Sequence, residues 1–197
     1  FPLTLKKELI LNKLENKFNK SKSMLFVGAL NRKLNEDAAL YIIKYILPKV
    51  FNKYPKAKLI LAGNTPSDKL KEIASRKKNI EITGYVDDLS SYYTSASVFI
   101  SPMFIGGGMI YKNLEALAFG LPVITTDIGN IGTDAQPDRE ILIANTPNEF
   151  SEQIIKLFND EKLSKKIGKN GQEFVKSKFN ESLIMPEMIK DIKNLYD

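Results

Sequence analysis

The sequence predicts a doubly wound α/β domain, a parallel sheet of about six strands with helices on both faces. Two patterns carry that expectation. Short apolar runs alternate with longer helical periods from Met24 onward, and glycines stand where the apolar runs end. A third observation sets the scale: the chain has 197 residues, 43% of them apolar, which suits one sizeable core and argues against general disorder.

Residues 1–22 scatter Leu3, Ile10, Leu14 and Phe18 among lysines, which predicts a linker or an amphipathic helix from a domain junction. Residues 23–197 then form the α/β domain with its C-terminal helices. Met24 to Gly28 reads as the first strand. Asn35 is expected to cap a long helix to Tyr54 that buries Ala39, Ile42, Ile43, Ile46, Leu47 and Val50. Lys58–Gly63, Asn79–Thr83, Ser97–Ser101, Pro122–Thr126 and Ile141–Ala144 read as the remaining strands. Helices are expected over 67–77, 88–95 and 109–119, and again towards the C-terminus with breaks near Gly168, Gly171 and Pro186. Phe150, Phe158, Phe174 and Phe179 suit helices that cover the sheet, and Tyr92 and Tyr93 suit packing. The last helix, near Ser182–Tyr196, is expected to dock against a further domain.

Composition narrows the chemistry. Cys and His are both absent, which removes thiol catalysis, disulfides, thiolate metal sites and the commonest general base. No carboxylate cluster resembles a divalent-metal site, so no metal is expected. The net charge is +6, with lysines spread along the chain and Arg32, Arg76 and Arg139 as the arginines. Such a surface is a solvated face, or one drawn to anionic lipid or glycan. No basic stripe with interleaved aromatics points to nucleic acid. The lack of Cys fits the cytoplasm, and the lysines allow peripheral contact at the inner face of the membrane. The start at Phe1 reads as a fragment or a processed chain.

In a doubly wound sheet, ligands sit beyond the carboxyl ends of the strands. Gly28, Gly63, Gly84 and the Gly106–Gly108 run all stand there. Each glycine alone is ordinary turn chemistry, and their gathering at one edge points towards a ligand crevice. The densest segment is Ser101–Asp127, SPMFIGGGMIYKNLEALAFGLPVITTD. Three glycines between a strand and a helix expose backbone N–H groups next to a helix N-terminus, an arrangement that favours phosphate. Lys112 and Glu115 lie three apart on that helix, so they share a face. From spacing alone they are equally a surface ion pair or a pair facing the crevice, with Lys112 neutralising phosphate and Glu115 accepting from sugar hydroxyls.

The pattern Pro102…Gly106-x-Gly108-x3-Lys112-x2-Glu115-Ala116, followed by Gly120-x-Pro122-Val123-Ile124-Thr125-Thr126, resembles the donor-binding half of retaining GT-B glycosyltransferases of the family 4 group. Phe26-Val27-Gly28 with Asn35 and Asp37-Ala38 resembles that family's first strand and helix. Leu47-Pro48, Tyr54-Pro55 and Leu59–Gly63 resemble its second βα unit, and Gly84-Tyr85-Val86-Asp87 with Tyr92-Tyr93 its base-side loop.

The resemblance, which covers Met24 to Phe179, implies a role for each matching residue. Glu115 matches the second glutamate of a paired motif and holds the ribose hydroxyls. Lys112 and the amides of Gly106, Gly107 and Gly108 surround the diphosphate and donor sugar. Gly84, Tyr85 and Val86 meet the base, and Gly28 lets the diphosphate approach. Arg32, with Lys33 second, is the candidate for a cation after the first strand. One departure stands out: the first glutamate of the pair falls at Gly107, as in a glycine-rich subgroup. No catalytic residue is identified.

The implied reaction moves a sugar from a nucleotide diphosphate, UDP favoured, to a glycan or lipid-linked acceptor with retained configuration, as in bacterial polysaccharide biosynthesis. The acceptor side belongs to an N-terminal domain, so the fragment is expected to bind donor without transferring sugar. A degenerate binding module is the alternative. A dinucleotide oxidoreductase is disfavoured because Gly28-Ala29-Leu30-Asn31-Arg32-Lys33 replaces Gly-x-Gly-x2-Gly after the first strand.

Overall fold

The computed structural model describes residues 22–106 and 108–179. The expectations for residues 1–21, for Pro186 and for the last helix lie outside the described residues.

Six strands form one parallel sheet in the order β3-β2-β1-β4-β5-β6. They are β1 (Ser23–Val27), β2 (Lys58–Ala62), β3 (Ile80–Ile82), β4 (Val98–Ser101), β5 (Val123–Thr125) and β6 (Leu142–Ile143). Five residues of β1 pair with β2, and Met24 and Leu25 pair with Val98 and Phe99 on the other side. Alternation along β1 feeds both layers. Met24 and Phe26 join the core on one face, and Leu25 and Val27 join the core on the other. Both faces are covered, which is why the inner strands read as continuous apolar runs, whereas edge strand β3 carries the exposed Glu81.

The helix after β1 opens as α1 (Lys33–Tyr41), passes through a π-helical segment at Ile42–Ile46 and continues as α2 (Leu47–Lys53). Pro48 accounts for the widened turn, since it has no N–H and its ring crowds the carbonyl four residues back. Leu47 N–H donates instead to the Ile42 carbonyl, five residues earlier. The six expected core positions on this helix are all buried. Its N-cap is Arg32, so Asn35 lies inside the helix and does not cap it. Its amide bonds instead to the Ala29 carbonyl and to the Lys112 ammonium.

The other helices are α3 (Asp68–Ser75), α4 (Ser90–Ser95), α5 (Tyr111–Ala118), α6 (Asp127–Asn130), α7 (Pro147–Asn159) and α8 (Glu161–Lys178). A capping box at Thr146 and Glu149 starts α7, and Asp160 caps α8. The chain therefore breaks at Asp160, while Gly168 and Gly171 lie within an unbroken α8. Those glycines serve close packing. A Cβ on Gly168 would overlap the Gly120 carbonyl, and one on Gly171 would lie 2.6 Å from Leu117 Cδ2 and 2.9 Å from the Glu140 carbonyl oxygen. Phe150, Phe158 and Phe179 are buried in the two cores, and Phe174 packs against the second. Among the described residues, no helix is long and apolar enough to cross a membrane.

Candidate functional site

In this strand order the chain leaves β1 in one direction and β4 in the other, so a crevice opens beyond their carboxyl ends. Gly28 follows β1 at that point, and the loop from Pro102 to Ile110 follows β4.

Three glycines tie the neighbouring strand ends into one surface. Gly28 N–H donates to the Ala62 carbonyl at 3.0 Å. Gly63 bridges Gly84 in antiparallel fashion. A Cβ on Gly63 would overlap the Gly28 carbonyl oxygen, so only glycine permits this approach. Gly28 and the Gly84–Val86 segment therefore belong to a continuous backbone platform along β1, β2 and β3. Tyr85 is 75% exposed on it and Val86 is half-buried.

Across the switch point, α5 presents Lys112 towards Gly28. The Lys112 ammonium donates to Asn35 Oδ1 at 3.1 Å and lies 4.3 Å above the Phe26 ring centroid. Asn35 Nδ2 donates in turn to the Ala29 carbonyl at 3.0 Å. A Cβ on Gly28 would lie 2.7 Å from Asn35 Cγ, so the bare glycine makes room for this amide. Burial pushes the Lys112 ammonium down from 10.5 to about 8.

Glu115 points another way. Tyr93 Oη donates to its Oε2 at 3.1 Å. Tyr93 is buried and stacks on Phe119 with centroids 4.9 Å apart and planes 10° apart. Burial and the neighbouring Glu115 carboxylate both raise the Tyr93 hydroxyl well above its ordinary range, so it remains a donor. The packing expected of Tyr93 is present, and its hydroxyl also reaches the site.

The loop between β4 and α5 is anchored from below. Thr125 Oγ1 donates to the Ser101 carbonyl at 2.7 Å, and the Thr126 hydroxyl donates to the Met103 carbonyl. Asn113, fully buried, donates to the Gly129 carbonyl at 3.0 Å and joins the first turn of α5 to α6. Gly106 and Gly108 have φ of +141° and +120°, values that L side chains rarely adopt, and both are exposed. Gly107 lies outside the described residues. Among the described residues no side chain caps α5 at Ile110; the Asn113 and Leu114 N–H groups donate to the Ile110 carbonyl, and the partial positive charge of the helix start stands beside the loop.

Arg32 is exposed at the N-cap of α1, beside the crevice but outside the Lys112–Asn35 contact. Lys33, the second candidate, pairs with Asp37 at 2.6 Å along the helix. A hollow of about 220 Å³ flanks the crevice between α1 and the loop after β4, with Leu34, Tyr41, Met103 and Phe104 among its walls and Asp37 as its carboxylate. Sequence reasoning missed Asn35 as a site residue, because its partners lie 6 and 77 positions away and leave no periodic signal.

The fold and crevice define a doubly wound α/β domain with backbone donors and a half-buried lysine at its topological switch point. The chain belongs to the family described as glycosyl transferases group 1, whose pattern matches residues 21–160. It is 28% identical over 185 residues to the capsular polysaccharide biosynthesis glycosyltransferase CapM of Staphylococcus aureus, covering 90% of this chain and 48% of CapM. The chain thus spans about half the length of the curated relatives it matches. Solved structures share the fold, two of them as follows. A TarM variant from S. aureus, in complex with fondaparinux, α-GlcNAc-glycerol and UDP, superimposes with a TM-score of 0.74 at 18% identity, over 88% of this chain and 36% of TarM. The C-terminal domain of the group 1 glycosyl transferase LpcC from Francisella tularensis superimposes with a TM-score of 0.67 at 21% identity, over 92% of this chain and 96% of that domain.

Proposed function

We propose that this chain is the donor-binding domain of a retaining GT-B glycosyltransferase, which takes a sugar from a nucleotide diphosphate, UDP favoured, to a glycan or lipid-linked acceptor. The observation that carries the reading is the Lys112 ammonium, which stands in the first turn of α5 directly after the glycine loop and is bound across the switch point to Asn35, whose amide packs against Gly28. A pyrophosphate seated there meets a cation, backbone N–H groups and a helix N-terminus together.

In transfer, negative charge grows on the departing diphosphate. Lys112, the amides of Gly106–Gly108 and the N-terminus of α5 stabilise that charge electrostatically, with Arg32 adding an exposed cation from the rim. No metal is required in this scheme. Glu115, oriented by Tyr93, accepts from the ribose hydroxyls, and the Gly84–Val86 backbone meets the base. UDP in the TarM complex supports the choice of base. The acceptor side belongs to a second, N-terminal domain, in keeping with the share of CapM that this chain spans. Transfer then takes place in the cytoplasm, with peripheral contact at the membrane where the acceptor is lipid-linked.

Titration calorimetry with UDP, GDP and common UDP- and GDP-sugars tests the reading. Measurable UDP binding is expected, weakened about tenfold or more by Lys112→Met. No binding of any nucleotide, or equal binding by Lys112→Met, overturns it. Robust transfer by the chain alone would overturn the two-domain part. A degenerate module is the second reading, favoured by Gly107 standing where the family's first glutamate falls. That module would bind donor, yet leave the full-length protein without transfer activity.

A further inference from the structure

We propose that Asn35 is a positioning residue that holds Lys112 across the switch-point crevice, and that Gly28 is bare chiefly to seat it. The inference deepens the donor-site reading and rests on it for its functional meaning, while its geometry stands by itself.

Three contacts converge on one amide. Asn35 Nδ2 donates to the Ala29 carbonyl at 3.0 Å, which fixes which way the amide faces. That leaves Oδ1 for the Lys112 ammonium at 3.1 Å, the one polarity a donor-only lysine accepts. Gly28 completes the seat, since a Cβ there would lie 2.7 to 2.9 Å from Asn35 Cγ, Nδ2 and Oδ1. The Phe26 ring closes the underside of the ammonium. The amide therefore joins the loop after β1 to the helix after β4, the two walls of the crevice.

The residue type follows from the partners. An aspartate would turn an oxygen against the Ala29 carbonyl. A lysine or arginine would offer no acceptor to Lys112. An alanine would leave the ammonium half-buried without its hydrogen bond, free to swing away from the diphosphate position. A carboxamide of this length satisfies both sides and adds no charge that would compete with an anionic ligand.

The test uses Asn35→Ala, Asn35→Asp and Lys112→Met in the full 197-residue chain. The titration of the Lys112 side chain is first followed by NMR without ligand. Removal of the Asn35 acceptor is expected to lower its midpoint below the wild-type value, and the aspartate is expected to raise it. A role in helix stability alone would change the melting temperature and leave that midpoint in place. UDP affinity is then measured for each variant and for Asn35→Ala/Lys112→Met. Asn35→Ala is expected to weaken UDP about tenfold, with little further loss in the double variant, because the amide acts through the lysine. An unmoved Lys112 midpoint in a folded Asn35→Ala or Asn35→Asp chain, or fully additive losses, overturns the proposal. If Asn35→Ala fails to fold, Asn35→Asp and the Lys112 midpoint decide the question. Failure of the wild-type chain to bind UDP sinks the donor-site reading and leaves the titration result to judge Asn35.

Discussion

Lys112 is a costly residue for this fold to keep, and the cost has a measurable sign. Burial lowers its folded-state midpoint from 10.5 to about 8. Below pH 8 the ammonium is charged in both states, and the folded state bears the whole desolvation penalty. Between pH 8 and 10.5 the unfolded chain binds the extra proton, so stability from this group rises with pH across that window. Lys112→Met is therefore expected to abolish that part of the rise and to melt no lower than wild type near neutrality, as urea unfolding across the window would show. UDP affinity takes the opposite slope. It falls as pH climbs through 8, because the free protein loses the cation that the diphosphate needs. A flat affinity profile from neutrality to pH 9 would contradict the assignment of Lys112 to phosphate. At this scale the sequence was half legible. Lys112 and Glu115 stood out by motif, whereas the partners that orient them, Asn35 and Tyr93, are separated from them by 77 and 22 positions. Contacts of that kind obey no period, and the glycine, aromatic or capping role of each residue masks them.

Among the elements, strands were the easier to read. Most are buried apolar runs, with β3 and its exposed Glu81 at the sheet edge the exception, and every expected strand is present within a residue or two at each end. Helix interiors were harder, because glycine carries two meanings. Gly168 and Gly171 suggested breaks, yet α8 runs through both and packs against α5 and the turn at Gly120. The sign of a substitution separates the meanings. Alanine for glycine in an exposed helix interior stabilises by ~1 kcal/mol. At Gly168 the new methyl would overlap the Gly120 carbonyl, backbone that cannot rotate away, and overpacking of this sort costs ~1–3 kcal/mol. Gly168→Ala is thus expected to lower stability in urea unfolding, where a helix-breaking glycine would give a gain. The consequence reaches the site, since α8 braces the helix that carries Lys112 and Glu115.

At the scale of the whole molecule, topology confines function to one rim. Strand order places the divergence of the chain between β1 and β4, and parallel strands put Gly28, Gly63, Gly84 and the loop after β4 at the carboxyl edge. That edge also carries exposed Leu34, Tyr85, Phe104 and Ile105, large side chains with more apolar surface than a closed rim would leave in water. The opposite edge is built for closure. There the Lys22 ammonium donates to the Phe158 carbonyl at 2.7 Å and lies over the Tyr54 ring, and Asn79 donates to the Ala57 carbonyl at 2.9 Å. The sequence exposed this polarity through its glycines, although the pairing order of the strands had to come from the structure. The polarity makes a spatial prediction for hydrogen exchange with saturating UDP. Protection is expected in the segments 28–35, 84–86 and 106–115, which scatter along the chain but meet at one edge. The turns at 54–57 and 77–79 are expected to exchange as they do without ligand. Protection centred on those turns, or spread evenly over the chain, would mean that the nucleotide binds away from the switch point, and the roles given to Lys112 and Glu115 would then have no site to serve.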